Sequence, residues 1–191
     1  MTSPSGSSSA LPDSVVRWID ERELTHGNVE ATLVAALWNK AVATAGDSLV
    51  ATLSSDNALQ LAYQAQLQAA TAMLHARGLR VRSRSKHHYV AIATARELAT
   101  ADGAADLARA LTTLDGVRAD RAIAVYEPDP ASPASAAHAR SSMATLLPNA
   151  LAWLQRTVPA LTPSLHPIPA KVVDVAVASL ATSAVKPRRT R

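Results

Sequence analysis

The sequence predicts an all-α protein, built as an up-and-down helical bundle of four to five main helices plus a C-terminal extension. Alanine has the highest helix propensity and fills 41 of the 191 positions, whereas Phe is absent and Trp and Tyr number three each. Strands are enriched in aromatic and β-branched residues, so this composition argues against a large β-sandwich or barrel. None of the eleven prolines lies between Asp13 and Glu127, so we expect this interval to hold the folded helical unit.

The chain is long enough for one domain with tails. We expect a disordered tail over residues 1–11, the bundle over residues 12–160, a C-terminal segment with helix favoured over residues 161–185, and a basic tail over residues 186–191. Cysteine is absent, which excludes disulfides, cysteine nucleophiles and cysteine-ligated metals. The sequence has neither an uninterrupted apolar stretch of membrane-spanning length nor a signal-peptide pattern, so a soluble cytoplasmic protein without membrane contact is expected.

Three helices are predicted in the first half of the proline-free interval. The first opens at Pro12 and is expected to end near Gly27. The second is capped by Asn28, and its inner face is predicted to comprise Leu33, Leu37, Ala41, Ala45 and Leu49. The third is capped by Ser55 or Asp56 and ends at Gly78, with an apolar face that includes Leu59, Tyr63, Gln66, Met73 and Leu74.

Three further helices are predicted after the third. The fourth ends before Gly103 and has an apolar face of Tyr89, Ile92, Ala93 and Leu98. The fifth is marked by Leu107, Leu111, Leu114, Val117 and Val125, and Pro128 disfavours its continuation. The sixth starts with the cap pair Ser132-Pro133 and should kink at Pro148. Residues 159–169 are expected to be irregular, and a helix is favoured over a strand around residues 173–177.

Positive charge is concentrated in two places, although the formal net charge is only +4. The basic segment, residues 77–88, holds five cations and no acid, and the tail after Val185 holds four cations and no acid. Local basicity of this kind is typical of a surface that binds phosphates, but a solvated loop and a solvated tail would look the same. The candidate nucleic-acid-binding residues are Arg80, Arg82, Arg84, Lys86 and His87.

Several common catalytic and cofactor motifs are missing from the sequence. It contains no phosphate-binding glycine loop, no GxSxG elbow and no HExxH pair. His87 and His88 are adjacent and have no acid nearby in the sequence to complete a metal site. We therefore predict neither a metal nor a cofactor.

Several short motifs occur in the order and spacing of one known family. They are the Ala62-Tyr63-Gln64-Ala65 helix, the Gly78-Leu79-Arg80-Val81 turn, the Lys86-His87-His88 start of the next helix, the Leu114–Tyr126 helix and a late Trp153-Leu154 helix. Together they make residues 17–161 resemble a HEPN domain, above all the bacterial stand-alone HEPN-like proteins.

This resemblance implies a helical bundle, a homodimer, and in many members a metal-independent ribonuclease. The family's nuclease motif is an Arg, a polar residue and then a His four to six residues after the Arg. The matching residues here are Arg121 and Tyr126, and two departures are evident: Ala122 replaces the polar residue, and Tyr126 replaces the His. Tyrosine is a poor base at neutral pH because its pKa is near 10.

The chemistry implied by the family needs a cation on the phosphate and a proton acceptor near the ribose 2′-hydroxyl. The candidate catalytic residues are Arg118, Arg121, Tyr126 and His88. Positions five apart on a helix point about 140° apart, so Arg121 and Tyr126 converge only if the helix unwinds between them.

Structural explanations compete with these catalytic roles. Tyr63 reads as a core aromatic with a satisfied hydroxyl, and Arg118 and Arg121 could pair with Asp115 or Asp120 as surface charges. His87 and His88 could cap the fourth helix or line a pocket next to Arg121.

The first hypothesis for function is therefore a HEPN-like protein of a bacterial toxin–antitoxin or defence system that binds RNA or a nucleotide. Metal-independent cleavage of RNA is left open by this hypothesis. The second is an inactive helical module that binds a partner such as an antitoxin or a nucleotidyltransferase. A third is nucleic-acid binding through the basic loop and tail alone.

Overall fold

The computed structural model describes residues 10–82, 86–126 and 130–175, without the side chains of Asp120 and residues 122–126. The protein is an all-α bundle, as predicted, with one small antiparallel sheet in the described residues. The elements are α1 (Asp13–Asp20), β1 (Leu24–His26), α2 (Ala31–Ser48), α3 (Ser55–Ala76), β2 (Leu79–Val81), α4 (His87–Ala101), α5 (Ala105–Tyr126) and α6 (Pro133–Thr157). A 3₁₀-helix (Pro159–Ser164) and a further helical turn at residues 170–175 follow α6.

Helix α3 is the centre of the bundle and contacts α2, α4, α5 and α6. It is buried on most of its surface because small alanines let its neighbours approach closely, while its large apolar side chains fill the spaces between them. Only the stripe that includes Gln60, Gln64 and Thr71 is partly exposed. Side chains from the other helices near this stripe can therefore meet α3 and still be reached by a ligand.

The first predicted helix boundary was wrong. Helix α1 ends at Asp20, and Leu24–His26 forms a strand that pairs with Leu79–Val81. Acidic residues are unfavourable at a helix C-terminus, and Arg22 adopts a left-handed φ of 61°, which ends the helix. The start of the basic segment is consequently a strand rather than a loop.

The predicted inner face of α2 was also shifted. Leu33, Leu37 and Leu49 are only partly buried, whereas Trp38 is fully buried. One residue corresponds to a rotation of about 100° on a helix, so orienting the large indole of Trp38 towards the core turns the leucine stripe partly outwards. Val34, Ala41 and Ala45 complete the buried face.

Side-chain caps start α3 and α6, whereas α2 starts without one. Ser54, rather than Ser55 or Asp56, caps α3 by accepting a hydrogen bond from the Asn57 N–H, and Glu30 rather than Asn28 precedes α2. Ser132 caps α6 as predicted by accepting from the Ser135 N–H, with Pro133 at the first helical position.

Gly78 follows α3 as predicted and requires glycine for two reasons. Its φ is +68°, and a Cβ there would lie 2.1 Å from the carbonyl oxygen of Gly27. The Gly27 N–H in turn donates to the Gly78 carbonyl at 2.8 Å. This close contact continues the pairing of β1 with β2.

Residues 159–172 pack on the bundle, and the first six of them are a 3₁₀-helix rather than irregular chain. Trp38 Nε1 donates to the carbonyl oxygen of His166 at 2.9 Å. The Asn39 side chain donates to the Ser164 carbonyl and accepts from the His166 N–H. Leu161, Leu165 and Val172 are buried in the same core.

Helix α6 runs through Pro148 without interruption. Tyr89 is exposed on α4 instead of lying on its apolar face.

In the described residues, none of the helices combines the length and the apolarity that crossing a membrane requires. Residues 1–9 of the N-terminal tail and the basic tail lie outside the described residues.

Candidate functional site

Helices α3 and α4 run parallel, and this arrangement creates the candidate site. Tyr63 contacts His88 at one end of the pair and Arg77 contacts Asp102 at the other, and both contacts span 25 positions in the sequence. An equal separation at two points means that the helices lie side by side in the same direction. This pair therefore departs from the predicted up-and-down order, in which consecutive helices are antiparallel. Helix α4 therefore begins at the level of Tyr63, in the middle of α3, and His88 in its first turn lies against Tyr63.

Five side chains from three helices form what we call the arginine–histidine cluster: Gln60, Tyr63, His88, Arg118 and Arg121. The Tyr63 hydroxyl and His88 Nδ1 are hydrogen-bonded at 2.9 Å. The guanidinium carbon of Arg121 lies 5.4 Å from the centroid of the Tyr63 ring, within the range of a cation–π contact. Arg121 Nε donates to Gln60 Oε1 at 2.6 Å.

Arg118 lies one helical turn before Arg121 on the same face of α5. Its Nε donates to Asp115 Oδ1 at 2.7 Å, and its guanidinium carbon lies 6.0 Å from the centroid of the Tyr89 ring. Within the described residues, both guanidinium groups use Nε for their hydrogen bonds. Their terminal nitrogens are thus available as donors to an anion, which is the role for which the planar guanidinium is best suited.

Burial determines the protonation of the cluster at neutral pH. Burial raises the pKa of Tyr63 to about 12, although the positive charges of Arg121 and Arg118 act in the opposite direction. Burial also lowers the pKa of His88, and the neighbouring charges of Arg121, His87 and Arg118 lower it further. We therefore expect a protonated, neutral Tyr63 and a neutral His88 at pH 7.

The hydrogen bond between Tyr63 and His88 then fixes which ring nitrogen carries the proton. Tyr63 is fully buried, and its hydroxyl has His88 Nδ1 as its hydrogen-bond partner within the described residues. A buried hydroxyl hydrogen needs an acceptor, so Tyr63 donates and Nδ1 accepts. Neutral His88 consequently carries its proton on Nε2, and this nitrogen is a donor.

The cluster accordingly presents two guanidinium groups and one imidazole N–H. All three are donors and two are cations, an arrangement suited to binding an anion such as a phosphate. A proton acceptor for base catalysis is not provided by His88 in this tautomer, because Nδ1 is occupied and Nε2 is protonated.

The pKa of His88 provides a test of this electrostatic description. Replacing Arg121 with Gln removes a positive charge that disfavours imidazolium, so we expect the pKa of His88 to rise. The pKa can be measured by following the imidazole resonances in an NMR titration. Arg109→Gln, on the exposed side of the same helix, should leave that pKa unchanged. An unchanged pKa in Arg121→Gln would contradict the effect of the Arg121 charge on His88.

The structure brings together Arg118, Arg121 and His88 of the predicted catalytic residues. The backbone of α5 is helical through Tyr126, so the unwinding that convergence of Arg121 and Tyr126 requires does not occur there. The side chain of Tyr126 lies outside the described residues. Gln60 was not predicted as a site residue. Tyr63 was predicted as a core residue with a hydrogen-bonded hydroxyl; the hydroxyl is hydrogen-bonded as expected, and its partner is His88, a residue of the candidate site.

The predicted nucleic-acid-binding residues differ in their surroundings. Arg80 lies on β2 and forms an exposed ion pair with Glu30. Arg82 is exposed, and Lys86 and His87 are exposed where α4 begins, next to His88. The His87 and His88 ring centroids are 6.1 Å apart. Arg84 lies outside the described residues.

Metal binding finds no support in the described part of the chain. Among those residues, no group of three or more His, Asp or Glu side chains is placed to hold an ion. Comparison with family models, curated proteins and solved structures gives no match for this chain.

Proposed function

We propose that this chain is a HEPN-like protein that binds RNA, with a backbone phosphate held by Arg118, Arg121 and His88. The observation that carries the proposal is the convergence of two guanidinium groups and a donor imidazole at the start of α4. Hydrogen bonds from charged donors to phosphate oxygens are stronger than those between neutral groups, so this arrangement favours a phosphate over a neutral ligand.

The surroundings of the cluster support a polyanion rather than an isolated phosphate. Lys86 and His87 immediately precede His88, and Arg82 is exposed a short distance earlier in the chain. Among the side chains that the structure describes, Asp115 is the carboxylate that contacts the cluster, and it is bound to Arg118. Positive charge thus extends from the cluster along the basic segment, in the direction that a bound strand could follow.

The protonation of His88 favours binding over cleavage. A general base must accept a proton from the 2′-hydroxyl, and Nε2 of His88 carries a proton while Tyr63 donates to Nδ1. We therefore propose RNA binding as the function and expect RNA to remain intact in the presence of EDTA.

A fluorescently labelled single-stranded RNA, titrated at several salt concentrations, tests this proposal. Each phosphate contact to single-stranded RNA contributes roughly −0.7 to the slope of log affinity against log salt concentration. Replacing Arg82 and Lys86 with Ser should flatten the slope by up to about 1.4, since two contacts are lost. Arg80→Ser should change the slope less than Arg82→Ser alone, because Arg80 already pairs with Glu30.

Deletion of residues 186–191 is the control for the tail. If this deletion abolishes both affinity and salt dependence while the double Ser variant keeps them, the tail is the binding element and the proposal fails. Cleavage that is lost in His88→Gln would show that His88 takes part in a reaction, and it would contradict binding without cleavage as the function.

A further inference from the structure

Tyr89 is an exposed aromatic residue at the edge of the arginine–histidine cluster. It lies in the first turn of α4, directly after His88, and 46% of its surface is exposed. Tyr63, in contrast, is fully buried. Single exposed apolar residues are common on proteins, so the exposure of Tyr89 alone carries no meaning. Its position directly after His88, a residue proposed to bind phosphate, is the informative observation.

The guanidinium group of Arg118 connects Tyr89 to the phosphate site. Its carbon lies 6.0 Å from the Tyr89 ring centroid, and its Nε is held by Asp115 at 2.7 Å. Because Asp115 holds the Arg118 guanidinium in place, this guanidinium has a fixed position next to the Tyr89 ring. Nearly half of Tyr89 stays exposed beside Arg118, so the ring can be reached by a base of a nucleotide whose phosphate is bound to Arg118.

We propose that Tyr89 is a stacking platform for an unpaired base, and that the ligand of this site is therefore single-stranded RNA. This inference rests on the proposed function. Bases in a duplex stack on one another, and the deep major groove of an RNA duplex excludes side chains. A tyrosine ring can stack on a base of any identity when that base is unpaired, so the platform selects single strands without selecting sequence.

The test compares three ligands: a hexaadenylate, an RNA duplex of equal length, and an abasic hexamer with the same phosphates and no bases. The wild-type protein should bind the hexaadenylate more tightly than the other two. Tyr89→Ala should weaken hexaadenylate binding by roughly 5- to 150-fold, whereas Tyr89→Phe should stay within about 2-fold because it retains the ring. Binding of the abasic hexamer should be the same in all three proteins.

The salt dependence separates stacking from charge. The tyrosine ring carries no charge, so Tyr89→Ala should keep the wild-type slope of log affinity against log salt concentration. An equal loss for the abasic hexamer would mean that Tyr89 acts by holding Arg118 in place, and this would overturn the stacking role. Unchanged hexaadenylate binding in Tyr89→Ala would overturn it too.

Failure of this inference is distinguishable from failure of the proposed function. If Arg118→Gln weakens hexaadenylate binding and Tyr89→Ala does not, the phosphate site stands and the platform is rejected. If the wild-type protein binds none of the three ligands, the proposed function is rejected, and the platform with it.

Discussion

Replacing both Arg118 and Arg121 with Gln is expected to weaken RNA binding by about two to four powers of ten. Each guanidinium would donate charge-assisted hydrogen bonds to a phosphate, worth roughly 1.5–3 kcal/mol each, and tenfold in affinity corresponds to about 1.4 kcal/mol. Glutamine keeps part of the aliphatic stem, so the packing of Arg121 over Tyr63 is partly retained. The dissociation constant can be measured by fluorescence anisotropy at fixed ionic strength.

Arg109 supplies a matched control for that experiment. It pairs with Asp106 three residues earlier on α5, as Arg118 pairs with Asp115, but both partners of the Arg109 pair are more than 70% exposed. Arg109→Gln removes one positive charge from the same helix and should change RNA affinity by less than about 3-fold, an effect typical of long-range charge alone. If Arg109→Gln loses as much binding free energy as each arginine of the cluster does, overall charge rather than the cluster binds RNA.

Replacing Asp102 with Ala is expected to lower the free energy of unfolding by about 3–5 kcal/mol. Asp102 accepts from Arg77 at 3.1 Å and from Trp153 Nε1 at 3.0 Å, and so connects the C-terminal ends of α3 and α4 with α6. The side chains of Arg77 and Asp102 are only 10% and 17% exposed. Removal of the carboxylate therefore takes away a counter-charge that contacts this nearly buried cation.

Urea denaturation of three variants measures this contribution. Arg77 and Trp153 both donate to Oδ2 of Asp102. Asp102→Asn loses the charge but keeps one acceptor oxygen, so it should be destabilised less than Asp102→Ala. Asp106→Ala removes a carboxylate from an exposed pair and should stay within about 0.5 kcal/mol of the wild type. If Asp102→Ala unfolds at the wild-type urea concentration, this network does not stabilise the bundle.

Features governed by local chemistry were predictable from the sequence. Ser132-Pro133 starts α6 because a hydroxyl cap and a proline act within one turn, and Gly78 follows α3 because a positive φ suits glycine. The strand Leu24–His26 was missed because its partner lies more than fifty residues away, and three residues give too little alternation to indicate a strand. Long-range pairing of this kind has no local signal.

The candidate site shows the same division. His88, Arg118 and Arg121 were selected by resemblance to a family, whereas Gln60 has no pattern that would mark it as a neighbour of Arg121. Tyr63 was predicted to lie in the core, and it is buried. Its hydroxyl also orients His88, because the parallel arrangement of α3 and α4 brings the two side chains together. The order of helices in a sequence does not reveal such an arrangement.

Parallel packing of α3 and α4 also sets a minimum length for the chain between them. Tyr63 lies about 20 Å along the axis from the end of α3, at 1.5 Å per residue, and His88 must come back to its level. A residue spans at most ~3.3–3.6 Å when extended, so the ten residues between Ala76 and His87 have a reach of only about 35 Å. Insertions in the basic segment are therefore compatible with the hydrogen bond between Tyr63 and His88, whereas repeated deletions would make the segment too short to form it.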